Sequence, residues 1–198
     1  MADDVVLAFP TPLAPVRHVR STLMLGGLAS LEAGGWLDAY CAAAPVDVRT
    51  AIQTSVAGMW IPVDTALAHY LACDRIGVSA ESAAKLGRGT FTRTKGLLLG
   101  TALGLAKTAG VTPWSLIPYF QRFWHRGLDG GGVRALKLGP KEVQIDIVGC
   151  PVFQSHYFRG ALRGLTANLL ELVCRKAYIH PRHVAEPNSE ISFRAQWV

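Results

Sequence analysis

A chain of 198 residues, half of them hydrophobic and 17% charged, is long enough for one domain with a sizeable core and too apolar to be disordered. The formal net charge of +6 admits a nucleic acid, an anionic membrane or an acidic protein as partner. The cations are scattered, however, from Arg17 and Arg20 through Arg88, Arg122 and Arg134 to Arg175 and Lys176. Without a block of like charge or an aromatic stacking pattern, this distribution predicts no specific nucleic-acid binding.

Residues 1–15 are punctuated by proline and read as an extended N-terminal arm, which leaves 16–198 as a single α+β domain. The stretch VRSTLMLGGLASLEAGG suits a short helix or a strand leading into one, and the pair Gly26-Gly27 leaves that choice open. From residue 35 to 77 proline alternates with helical pattern, over 36–43, over 45–57 and after Pro62, with proline in its favoured place near a helix start. A long helix follows in SAESAAKLGRGTFTRTKGLLLGTALGLAKTAG. Ser79 is its N-cap, in a capping box left imperfect because Glu81 is one position too early, and Gly110 ends it.

The most apolar part of that helix, GLLLGTALGLA, lies between Lys95 and Lys107 and falls well short of the ~20 residues a spanning helix needs. It reads as a buried helix, and no transmembrane segment is predicted. Its glycines Gly96, Gly100 and Gly104 follow one slowly drifting face, which predicts a packed side at Gly100 and a side turned to a cavity at Leu103. TPWSLIPYFQRFWHRGL then forms a further helix, opened by Pro113 and interrupted at Pro118.

Beyond LDGGGVRAL the period changes. In KEVQIDIVG, Val143, Ile145 and Ile147 alternate with Glu142, Gln144 and Asp146, the signature of a strand with one buried face. AYIHPRHVAE and EISFRAQWV, the latter alternating Ile191, Phe193, Ala195 and Trp197, are joined through EPNS and predict an antiparallel hairpin. Between these strands FQSHYFRGALRG opens an amphipathic helix, because Phe158, Ala161, Leu162, Leu165, Leu169 and Leu172 recur at helical spacing. Gly160 and Gly164 share a face there and permit close backbone contact with a neighbour. A phosphate cradle would need loop glycines with a Walker-type lysine and hydroxyl, and that arrangement is absent from the sequence.

The order of strand, YFRGALRG helix and final hairpin resembles the C-terminal half of the four-vinyl-reductase small-molecule-binding domain, whose relatives include haem-dependent nitric-oxide sensors and TRAPP vesicle-tethering subunits. The motifs SAAKLGRGTF, LLLGTALGLA, LGPKEVQIDIVG, YFRGALRG and SEISFRAQW further resemble a myxobacterial conserved family of unknown function, over residues 19–197. The resemblance implies an α+β fold with an N-terminal helical part packed on a small twisted antiparallel sheet, and with a crossover helix before the C-terminal hairpin. It implies binding or sensing more than turnover. The four-vinyl-reductase domain holds a cysteine pair near its last hairpin, and residues 185–197 contain none. The haem sensors carry Tyr-x-Ser-x-Arg, and this sequence does not.

Within that frame the leading reading is a non-enzymatic ligand-binding or sensory module. Its pocket would take a small apolar ligand and be formed by Leu97, Leu98, Leu103, Phe120, Val143, Ile145, His156 and Phe158. The alternative is an interaction or scaffold protein on the same fold, with a protein partner or a homodimer as its unit. A small enzyme ranks third. No cofactor and no metal are expected, because Cys41, Cys73, Cys150 and Cys174 form no CxxC pair. His180 and His183 lack further ligands at zinc spacing, and His69 with Cys73 four residues on reads as a core pair before it reads as a metal pair. His156 could exchange protons with Glu171 or Asp146, but no nucleophile is positioned by motif. With no secretory signal in MADDVVLAFPTPLAP, the expected location is the cytoplasm.

Overall fold

In the computed structural model the residues described are 4–99 and 110–198, with backbone only for 95–99. The fold is α+β. Its centre is a sheet of five antiparallel strands in the order β1 (Asp4–Leu7), β5 (Gly132–Gly139), β6 (Glu142–Val148), β8 (Glu190–Trp197), β7 (Ala177–Arg182). A second, three-stranded sheet joins β3 (Trp60–Pro62), β2 (His18–Arg20) and β4 (Leu128–Asp129).

The alternation in β6 sets the register of the main sheet. Val143, Ile145 and Ile147 lie opposite Ala195, Phe193 and Ile191 of β8, and all six are buried. Cross-strand partners on one face therefore form a continuous apolar floor. Val133 and Ala135 of β5 extend it, opposite Ile147 and Ile145. The expected hairpin is present as β7 and β8, with the backbone N–H groups of Ser189 and Glu190 donating to the carbonyl of Glu186 in its turn. At the other edge, Asp4–Leu7 pairs with β5, so these residues of the Pro-rich lead-in form an edge strand.

On the opposite face of β6 the alternation does not mean solvent at every position. Asp146 is only 7% exposed. Its carboxylate accepts from Nη2 and Nε of Arg134 at 2.7 and 3.1 Å, from the Ser192 hydroxyl at 2.6 Å and from the Gln144 amide. Asp146 is thus an acceptor with its lone pairs taken up, which accounts for a carboxylate at this depth.

Helices cover the apolar floor, with Phe120–Gly127 against β5 and His156–Leu170 against β7 and β8, and the remaining helices packed on these and on the smaller sheet. In chain order the helices are α1 (Ser21–Ala33), α2 (Leu37–Ala43), α3 (Val46–Gln53), α4 (Val63–Arg75), α5 (Ala80–Leu99), the short α6 (Pro113–Leu116), α7 (Phe120–Gly127) and the crossover α8 (His156–Leu170). Between α6 and α7 the single turn Ile117–Tyr119 is 3-10, because Pro118 has no N–H to offer an α-helical bond. Ser79 caps α5 as expected, its hydroxyl accepting from the N–H of Ser82 at 3.1 Å.

The start of α8 is tied to the end of α4. Ser155 accepts from the N–H of Phe158, while the Asp74 carboxylate accepts from the N–H groups of Tyr157 at 2.6 Å and His156 at 3.2 Å. A carboxylate there satisfies orphan donors and complements the helix dipole.

The glycines of α8 do what their spacing predicts. A Cβ on Gly164 would lie 1.9 Å from the carbonyl oxygen of Ala84, one on Gly160 2.8 Å from Ala83 Cβ, and one on Gly87 2.0 Å from the carbonyl oxygen of Ala161. Gly160 faces Ala83, Gly164 faces Ala84 and Asn168 bonds Arg88. The contacts advance together along both helices, so α5 and α8 run side by side in the same direction with their backbones touching. Arg88 closes the far end on Glu171. Burial opposes ionisation of Glu171, but hydrogen bonds from Arg88 and the Ala177 N–H, with the charges of Arg88 and Lys176, outweigh it and hold the carboxyl below the usual range.

Candidate functional site

Beside the close approach of α5 and α8, where Gly87 and Ala161 meet, there is a gap over the sheet. It is a cavity of about 110 Å³. Its floor is Val133, Ile145 and Ile147, and its walls are Phe91 of α5, Phe120 and Trp124 of α7, and Phe158, Ala161 and Leu162 of α8. Leu23 and Gly27 of α1 close one side and Tyr70 of α4 another. Gly27 is buried, and no described atom would lie within 4 Å of a Cβ placed on it. Its missing side chain is therefore part of the empty space.

The polar lining is sparse. The Thr90 hydroxyl donates to the carbonyl of Leu86 at 3.0 Å, and the Trp124 indole donates to the carbonyl of Gly130 at 2.8 Å. Tyr70 and Tyr157 are 5% and 4% exposed, with rings stacked at 6.4 Å and 25°. Neither hydroxyl has a hydrogen-bond partner among the described residues. Burial raises both phenols well above the ordinary tyrosine range, so both are neutral donors.

Of the residues expected from sequence, Phe120, Ile145 and Phe158 come together in this lining. Val143 is fully buried one pleat further along β6 and is not part of it. His156 is exposed, its ring Nδ1 3.4 Å from Nη2 of Arg159. As the first residue of α8 it faces outward, while Tyr157 and Phe158, one and two steps of ~100° around the helix, turn inward. Leu97 and Leu98 lie in α5 where only backbone is described; Leu103, Gly100 and Gly104 lie outside the described residues.

Gly27, Tyr70, Phe91 and Tyr157 join the lining without having been expected there. Tyr157 sits one residue from Phe158 in the apolar stripe, and the Gly26-Gly27 pair was a visible irregularity in α1. Tyr70 carries no such signal.

The other candidates resolve into structure. His69 is 1% exposed, and its Nδ1 lies 2.7 Å from the Tyr40 hydroxyl; it is a core histidine whose pKa burial lowers to about 3. His156 and Glu171 lie at opposite ends of α8, about 22 Å apart at 1.5 Å per residue, so they form no proton-exchanging pair. Among the described residues no three His, Cys, Asp or Glu side chains gather to hold a metal, and no helix is long and apolar enough to cross a membrane.

No family model matches the chain, and no curated protein matches it. Solved structures do. Over 90% of its length the chain is similar to the Fe(II) unliganded H-NOX protein from K. algicida, at 11% identity, 96% of that chain and a TM-score of 0.65. A mutant of T. tengcongensis H-NOX matches at 11% identity, 97% of that chain and 0.57. An oxygen-binding H-NOX domain related to soluble guanylate cyclases matches at 10% identity, 94% of that chain and 0.54. This protein is thus an α+β chain with the H-NOX fold, and at such identities the fold is what is shared.

Another neighbour with this fold was solved to probe haem distortion in the H-NOX family, and the cavity here does not fit that group. No histidine, cysteine or methionine is among its described lining residues, so the usual axial ligands of haem iron are missing. The two tyrosines are held protonated by burial. No arginine or lysine is among the described lining residues to meet carboxylates, and 110 Å³ is below the range of pockets for drug-sized ligands, ~300–1,000 Å³.

Proposed function

We propose that this chain is a non-enzymatic small-molecule-binding or sensory module that uses the H-NOX fold without haem and takes a compact apolar ligand in the cavity between α1, α5, α7, α8 and the sheet. One observation carries the reading: the almost wholly apolar gap of about 110 Å³ that Gly27 helps keep open. An apolar cavity of this order stays dry and accepts molecules such as benzene or xenon. The reading places the binding module at 16–198, with the remote kinship to four-vinyl-reductase and myxobacterial proteins as its evolutionary setting and the cytoplasm as its location.

Native mass spectrometry of the protein purified from its own cells, followed by titration with hemin, tests this. The expected result is a small organic adduct that is lost in Gly27→Leu, with no stoichiometric haem. A 1:1 hemin complex with an intense Soret band, or a Gly27→Leu variant that keeps the adduct, would contradict it.

A further inference from the structure

Two tyrosines of the cavity lining, Tyr70 and Tyr157, have hydroxyls with no hydrogen-bond partner among the described residues. We infer that Tyr70 and Tyr157 are the recognition pair of the cavity, and that its ligand is an uncharged molecule of about benzene size carrying one oxygen acceptor, such as a ketone or ether. This rests on the cavity being a binding site.

Both side chains line the cavity and both are more than nine-tenths buried. They come from α4 and the first turn of α8, brought side by side by the Asp74 bridge between those helices. Of the other polar groups nearby, Thr90 is satisfied through Leu86, the Trp124 indole through Gly130 and Ser155 through the carbonyl of Tyr70 at 3.2 Å, whereas the Thr166 hydroxyl of α8 also lines the cavity without a hydrogen bond among the described residues. Neither tyrosine hydroxyl is among the fully enclosed unpartnered atoms, which are Thr22 Oγ1 and Arg159 Nε among the described residues, so each is open to a partner, and a ligand acceptor would supply it. Charged ligands are disfavoured in either sign, because no ionised side chain is among the described lining residues to offset desolvation. A pure hydrocarbon fits the walls but leaves both hydroxyls unanswered.

The probes are cyclohexanone and methylenecyclohexane, which are close in shape and differ in the oxygen. Affinities of both are measured by NMR titration for wild type, Tyr70→Phe, Tyr157→Phe and the double variant. The ketone-to-hydrocarbon affinity ratio should fall about tenfold in the double variant, as expected for loss of a buried hydrogen bond. Hydrocarbon binding should persist, and no variant should melt below wild type. An unchanged ratio, with both probes still bound, would overturn the tyrosine assignment and leave the binding site standing. Binding of neither probe to wild type would overturn both.

Discussion

His69 shows what a buried histidine does when its partner is neutral. The Tyr40 hydroxyl 2.7 Å from Nδ1 adds no compensating charge, so burial alone lowers its pKa from 6.5 to about 3. In the unfolded chain it titrates at its ordinary value. Between about pH 6.5 and 3 the unfolded state therefore binds the extra proton, and the histidine's contribution, complete above that window, is lost as the pH falls through it. Urea titrations should show a loss of about 2 kcal/mol at pH 5 relative to pH 7 from this group. His69→Gln, which cannot titrate, should flatten that slope. An identical slope in the variant would mean that His69 opens to water before global unfolding.

Glycine carries opposite meanings in different helices. Gly87 and Gly164 mark backbone contacts between α5 and α8, with added Cβ atoms 2.0 and 1.9 Å from carbonyl oxygens. Backbone cannot step aside as a side-chain tip can, so Gly164→Ala should cost about 1–3 kcal/mol or more. Gly27 lies in the interior of α1 with open space beside it. Gly27→Ala should therefore stabilise the protein by about 0.5–1 kcal/mol through helix propensity alone. Thermal melts of the two variants should move in opposite directions; a Gly27→Ala melt as low as that of Gly164→Ala would show that the space beside Gly27 is filled.

The same elements show which features can be read from sequence. β6, β8 and α8 were legible because local period encodes a buried face, and Gly160 and Gly164 because their spacing puts both on one side of a helix. Ile145 and Phe158 lie on those faces, whereas Phe120 belongs to α7. The pairing of β1 with β5 and of Tyr70 with Tyr157 was not legible, since each joins segments far apart in the chain and leaves no periodic trace. His156 misled for a simpler reason: membership of a chemically rich stretch says nothing about which way a first-turn residue points.

At the scale of the whole molecule, a fold shared with H-NOX proteins surrounds a cavity of about 110 Å³ whose described lining has no histidine, cysteine or methionine to ligate haem iron. The physical origin is the close backbone contact of α5 and α8, which brings aromatic and aliphatic side chains over the sheet. Crystals of wild type and Gly27→Leu under xenon pressure test this most directly. Xenon should occupy the space between Gly27, Phe91 and Phe158 in the wild type and be absent from it in the variant. A wild-type cavity that stays empty under xenon, or one filled by inward-turned side chains, would contradict a binding site at this position.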